Sequence, residues 1–254
     1  MLLAIDIGNT NITFGLFEGE ALGPCWRIRT IHDKMPDEYG VLLDQLFRHR
    51  GCVPEQVTGA VIASVVPPLT PVFQEACQHY VGVTALVIDA GVRTGVRIRY
   101  DNPRAVGADR VADAAAVRAL YRIPACVVDF GTATTFDAVS SEGDYLGGAI
   151  APGIGIASQA LFERTAKLPR VELSRPPSVI GRNTPHSIQS GLLFGYVGLV
   201  EGMVARFKQE LGEQTQVIAT GGLAEIIARE TSVIEVVDPW LTLHGLRIIY
   251  DLNR

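Results

Sequence analysis

Leu3-Ala4-Ile5-Asp6-Ile7-Gly8-Asn9-Thr10 and Cys126-Val127-Val128-Asp129-Phe130-Gly131-Thr132-Ala133-Thr134 are two versions of one pattern. Each opens as a continuous apolar run, the mark of a strand buried on both faces. Each is then cut by one aspartate, followed by an apolar residue, a glycine and small polar residues. Its return predicts two related halves. The sequences that follow also match. Ile12-Thr13-Phe14-Gly15-Leu16-Phe17 alternates as a strand, turns at Glu18-Gly19-Glu20 and returns through Trp26-Arg27-Ile28-Arg29. Thr135-Phe136-Asp137-Ala138-Val139 turns at Ser141-Glu142-Gly143-Asp144 into Tyr145-Leu146-Gly147-Gly148-Ala149-Ile150. Both glycine turns therefore lead into hairpins. The Walker loop and the dinucleotide fingerprint instead place a helix directly after their glycines, and neither GxxxxGK[ST] nor GxGxxG stands at these places.

Beyond each hairpin the periodicity predicts helix, strand, helix, strand. In the first half these are helix 38–48, strand 60–66, helix 72–80 and strand 86–89. In the second half they are helix 187–211, strand 217–219, helix 223–229 after Gly221-Gly222, and strand 233–237. An Ala-rich helix, 110–122, joins the halves. The expected fold is α/β, with two duplicated halves, each a mixed sheet flanked by helices, and a nucleotide cleft between them. The expected division is 1–115 and 116–254.

The chain has 254 residues, 48% hydrophobic and 19% charged, with a net charge of −5. That composition fits a globular protein. No basic run is present to follow a phosphate backbone, so nucleic acid is not an expected partner. The apolar start Met1–Ile5 stops at Asp6, short of a leader core or a membrane span, and a cytoplasmic location is expected. Cys25, Cys52, Cys77 and Cys126 form no CxxC pair, which predicts reduced thiols.

The turn Asp6-Ile7-Gly8-Asn9-Thr10-Asn11 has a glycine that permits close backbone approach and three side chains able to donate hydrogen bonds. It can cradle phosphate oxygens, with Asp6 placed to hold Mg²⁺ through water. It can equally be a structural turn. A second turn with Asp129, Gly131, Thr132 and Thr134 favours the phosphate reading, because a nucleotide between two related halves needs both. Asp109 and Asp113, one helical turn apart, read by themselves as an N-terminal carboxylate and a solvated neighbour. The five histidines show no HExxH spacing, and Ser64 and Ser190 lack a GxSxG setting.

Taken together, these Asp-Gly turns and the late Gly221-Gly222 turn resemble the superfamily of actin, hexokinase and heat-shock ATPases. Asp6-Ile7-Gly8-Asn9-Thr10-Asn11, Gly107-Ala108-Asp109-Arg110, Asp129-Phe130-Gly131-Thr132-Ala133-Thr134-Thr135, Gly147 to Gly153 and Asn183-Thr184 are more closely similar to the type III pantothenate kinases, in the family's order from Met1 to about Leu246. The resemblance implies phosphorylation of pantothenate by Mg-ATP, the first step towards coenzyme A. It implies that Asp6, Ile7, Gly8, Asn9, Thr10, Asn11, Ile12 and Thr13 hold the ATP phosphates and that Thr132 contacts nucleotide. Asp129 would help bind a monovalent cation, K⁺ or NH₄⁺. Tyr100, Gly107, Ala108, Asp109, Arg110 and Thr184 would bind pantothenate, with Asp109 as the base. By its own residues, Gly221-Gly222, which follows a strand and opens a helix, can pack bare backbone against an adenosine or be merely a strand-to-helix turn. A homodimer is implied, its pocket closed by the partner through the region 161–169. The competing expectation is a nucleotide-binding regulator of the same fold without phosphoryl transfer.

Overall fold

A computed structural model describes every residue from Met1 to Arg254 and divides into two units, Met1–Tyr121 with Leu241–Arg254, and Arg122–Trp240. In the first unit the apolar run forms β1 (Leu2–Ile7), and the hairpin supplies β2 (Asn11–Glu18) and β3 (Ala21–Arg29). There follow α1 (Pro36–His49), β4 (Gly59–Ser64), α2 (Leu69–Ala76), β5 (Ala85–Val87) and α3 (Ala108–Leu120). Helix α1 begins where Pro36 presets the first turn and Glu38 Oε2 accepts from the Met35 N–H at 2.9 Å. The sheet order is β3-β2-β1-β4-β5. Leu3, Ile5 and Ile7 on β1 and Ile12, Phe14 and Leu16 on β2 face one core, with Leu43 and Phe47 of α1 and Phe73 of α2.

The second unit contains β6 (Ala125–Phe130), β7 (Ala133–Val139), β8 (Tyr145–Pro152), α4 (Ile154–Glu163), α5 (Thr184–Leu211), β9 (Gln216–Gly221), α6 (Ala224–Ala228) and β10 (Val236–Val237). Its sheet, β8-β7-β6-β9-β10, repeats the first in order and direction. The first two pairings are antiparallel and the last two parallel in both sheets. The duplication read from the sequence thus extends to every strand. Asn183 caps α5 by accepting from the His186 N–H at 2.9 Å, and Pro185 stands in the first turn. Helix α5 is long and apolar enough to cross a membrane, with a mean hydropathy of 1.4 over its best window. Its Leu192, Leu193, Val197, Val200 and Val204 are buried on the sheet against Val128 and Val217, along one face of the helix.

Several elements differ from expectation. The helix read at 72–80 starts earlier, as α2, and runs on into one wider turn, Cys77–Val81, closed by Gly82. The last strand is only Val236–Val237, and α4 was not anticipated. The largest difference is α7 (Leu241–Leu252), also unanticipated, which packs along α3 and belongs to the first unit. The expected boundary at 115/116 falls inside α3, and the second unit ends at Trp240 rather than at residue 254. The reason is apolar burial: Leu241, Leu243, Leu246 and Ile249 on α7 have 1% exposure or less. Helix α7 also corrects the reading of Asp113, which is 2% exposed rather than solvated and accepts from Thr242 Oγ1 at 2.7 Å.

Close approach of α7 to α3 depends on Gly245, where an added Cβ would run into the Ala112 carbonyl and lie 3.0 Å from Ala112 Cα. Helix propensity alone favours alanine there by about 1 kcal/mol. Overpacking costs about 1–3 kcal/mol, and the obstacle is backbone, which cannot rotate away. Gly245→Ala is therefore expected to destabilise by up to about 2 kcal/mol net, measured as a lower denaturant midpoint; a higher midpoint would show that the two helices tolerate separation.

Candidate active site

Strand β1 is paired on both sides, with Asp6 opposite Thr13 of β2 and Ala63 of β4. Because Ile5 and Ile7 enter the core, alternation sends Asp6 to the other face. The connection to β2 is a four-residue turn, 8–11, since Ile7 pairs with Ile12. It closes with the Gly8 N–H donating to Asn11 O at 3.0 Å. Thr30, just past β3, braces it: its N–H donates to Thr10 O at 2.9 Å and its Oγ1 to Gly8 O at 2.6 Å. The braced turn presents Asn9, Thr10 and Asn11 exposed. Thr30 was not foreseen; its signal is its position, the first residue after the hairpin's second strand.

In the second unit Asp129 lies opposite Thr135 of β7 and Thr220 of β9. Phe130 pairs with Thr134, so this turn, 131–133, is one residue shorter. Here the brace is Gly153, just past β8, where a Cβ would collide with Thr132 O and lie 2.8 Å from Gly131 O. Gly221 closes the other side. Its φ of +88° suits glycine, and a Cβ there would meet Asp129 Oδ1. A Cβ on Gly131 would lie 3.4 Å from Asp129 Oδ2. The Asp129 carboxylate thus packs against the bare backbone of Gly221, with Gly131 at ordinary contact distance on its other oxygen. Further along β7, buried Asp137 accepts from Thr135 Oγ1 at 2.9 Å and from Tyr145 OH at 2.8 Å.

The segment Gly107-Ala108-Asp109-Arg110 opens α3, with Gly107 at the cap position and Asp109 in the first turn. Asp109 Oδ1 accepts from the Arg110 N–H at 2.8 Å and folds back over Gly107, where a Cβ would strike it. Val65 connects this segment to the end of β1: its N–H donates to Ile7 O at 3.0 Å, and its Cγ1 lies 3.4 Å from the place of a Gly107 Cβ. Within the first unit, then, the residue after Asp6 and the cap residue of α3 meet the same side chain and backbone, those of Val65. A cavity of about 1030 Å³ is lined in part by Ser64, Val65, Val87, Arg104, Gly107 and Ala108. Of the expected pantothenate residues only Gly107 and Ala108 line it. Tyr100 is 38% exposed on the loop before α3, and Thr184 is the exposed first residue of α5 in the second unit.

No group of three or more His, Cys, Asp or Glu side chains is arranged to hold a metal ion. Mg²⁺ accords with such a site, since it takes much of its shell from phosphate and water. All four cysteines are free; burial pushes Cys25 up to about 11 and Cys77 up to about 12.

The profile of the type III pantothenate kinases matches residues 2–206. The chain belongs to the type III pantothenate kinase family. The Moorella thermoacetica type III pantothenate kinase is 55% identical over 253 residues, covering 100% of both chains. The Myxococcus xanthus type III pantothenate kinase is 54% identical over 254 residues, covering 100% of this chain and 99% of its own. Among solved structures, a Campylobacter jejuni protein described as a Baf family transcriptional activator matches with a TM-score of 0.59 at 19% identity, covering 99% of this chain and 98% of that one. At that identity the likeness is one of fold.

Proposed function

We propose that this protein transfers the γ-phosphoryl group of ATP to the primary hydroxyl of pantothenate, giving 4′-phosphopantothenate. The observation that carries the reading is that Val65 contacts both segments, donating to the carbonyl of Ile7, just before the first turn, and lying beside Gly107, two residues before Asp109. Residues 6–13 bind the phosphates, with Thr132 as a further nucleotide contact and Gly221-Gly222 beside the adenosine. Tyr100, Gly107 to Arg110 and Thr184 bind pantothenate. Asp109 accepts the hydroxyl proton as that oxygen attacks in line. The first turn of α3 and the Arg110 N–H suit a carboxylate anion. A loose transition state releases the proton late, so Asp109 also serves to align the acceptor. An intact Gly107-Ala108-Asp109-Arg110 supports catalysis over a regulator without phosphoryl transfer, which has no chemical need of that carboxylate.

Asp109→Asn keeps the size of the side chain and removes the base. Turnover with Mg-ATP and pantothenate, followed by mass spectrometry of phosphopantothenate, is expected to fall by about 10²- to 10⁴-fold. Near-normal turnover would remove Asp109 from this role. The active species is expected in the cytoplasmic fraction, in keeping with its free thiols.

The position of the Asp129 carboxylate beside Gly131 of the second turn supports a monovalent cation there, because a carboxylate beside a triphosphate is repulsive unless a cation intervenes. K⁺ or NH₄⁺ is expected to raise both turnover and melting temperature in the presence of ATP. Asp129→Ala is expected to lose both responses; equal behaviour in Na⁺ and K⁺ would contradict the assignment.

Ile150, Ile156, Leu161 and Phe162, exposed by 37–68% along β8 and α4, support burial against a second copy of this chain. The adjoining region 161–169 then closes the partner's pocket. Sedimentation of a fully active monomer would exclude this arrangement.

A further inference from the structure

The first phosphate turn carries no cation of its own. From Met1 to Trp26 the chain has neither Lys nor Arg, and Asp6 adds negative charge. Arg27 is the first basic residue. The register of β1, β2 and β3 gives it a definite place: Thr13 pairs with Asp6 on one side and with Arg27 on the other. The three residues form one row across three strands. Ile5, Ile7, Ile12 and Phe14, with Trp26 and Ile28 packed against them, occupy the core side. Asp6, Thr13 and Arg27 therefore share the opposite face. Strands lie about 4.8 Å apart, which puts the Arg27 and Asp6 backbones about 10 Å apart. Thr13, the only residue between them, is short. Arg27 is exposed. Arg29, also exposed, pairs with Asn11, beyond the last paired residue of β1, and so falls outside this row.

We propose that Arg27 is a phosphate-binding residue: its guanidinium reaches over Thr13 to the β- and γ-phosphates of ATP and supplies the charge the turn lacks. A guanidinium matches phosphate oxygens in a two-pronged geometry that a point charge cannot reproduce. This inference rests on the reading of residues 6–13 as the phosphate site.

The test is titration of the full-length protein and its Arg27→Gln, Arg27→Lys and Arg29→Gln variants with ATP and with AMP, together with steady-state kinetics. Arg27→Gln is expected to weaken ATP about 10- to 100-fold, the scale of a charged hydrogen bond. AMP affinity and the KM for pantothenate are expected to stay within about twofold of the unmodified protein, since neither involves these phosphates. Arg27→Lys recovers part of the loss, and Arg29→Gln loses less than Arg27→Gln. Equal losses for ATP and AMP, no loss for ATP, or a larger effect at Arg29 would overturn the proposal. Gly8→Val, which crowds Asn11 O, separates the two readings. If it abolishes ATP binding while Arg27→Gln does not, the Arg27 assignment falls and the phosphate turn stands. If neither changes ATP binding, both fall.

Discussion

The pairing of β1 on both its edges is the constraint on which the rest of the first unit depends. With β2 on one side and β4 on the other, the strand has no freedom to slide. A slip of one residue would turn Asp6 into the core and move Leu3, Ile5 and Ile7 out of the cluster they share with β2, α1 and α2. The position at which Asp6 emerges is thus set by hydrophobic burial on the far face. The same strand end offers the Ile7 carbonyl to Val65, so the register that presents Asp6 also fixes the residue against which the start of α3 rests.

The two copies of the motif solve a common problem by opposite means. The first turn is longer, displays Asn9, Thr10 and Asn11, and is tied down by a hydroxyl from Thr30. The second is shorter and is bounded by residues without side chains, Gly153 and Gly221. One copy displays polar side chains, and the other packs bare backbone against a carboxylate and against its own turn carbonyls. The second copy also carries a buried acid, Asp137, held by Tyr145 and Thr135, which has no counterpart in the apolar Gly15 two residues beyond Thr13.

Much of this was legible in the sequence, because an aspartate inside a fully apolar run costs free energy wherever it is not used. The hairpins, α1, α3 and α5 followed from periodicity and caps, with limits shifted by a few residues. What could not be read were the long-range contacts. Nothing local marks Thr30 as a brace or Gly245 as a point of helix contact, and Asp113 looked solvated until α7 covered it. On its own residues, Asp109 read as an ordinary helix-terminal carboxylate; its role came through the family resemblance of the segment around it. The gap between the expected pantothenate residues and the cavity beside Gly107 is of the same kind, since a loop such as 88–106 takes its course from packing that no short motif encodes.

The path of the chain has a consequence for how the molecule is made. It leaves the first unit at Tyr121, builds the second through Trp240, and only then returns with Leu241–Arg254 to cover α3. The nested unit is a continuous stretch, whereas the unit that encloses it in sequence is not. During synthesis the second unit can complete its core while the first still exposes the α3 surface that Leu243 and Leu246 bury. Residues of the first unit that precede Arg122 are therefore made before the nested unit and finished after it, and a nascent chain halted before Leu241 holds a first unit without its closing helix.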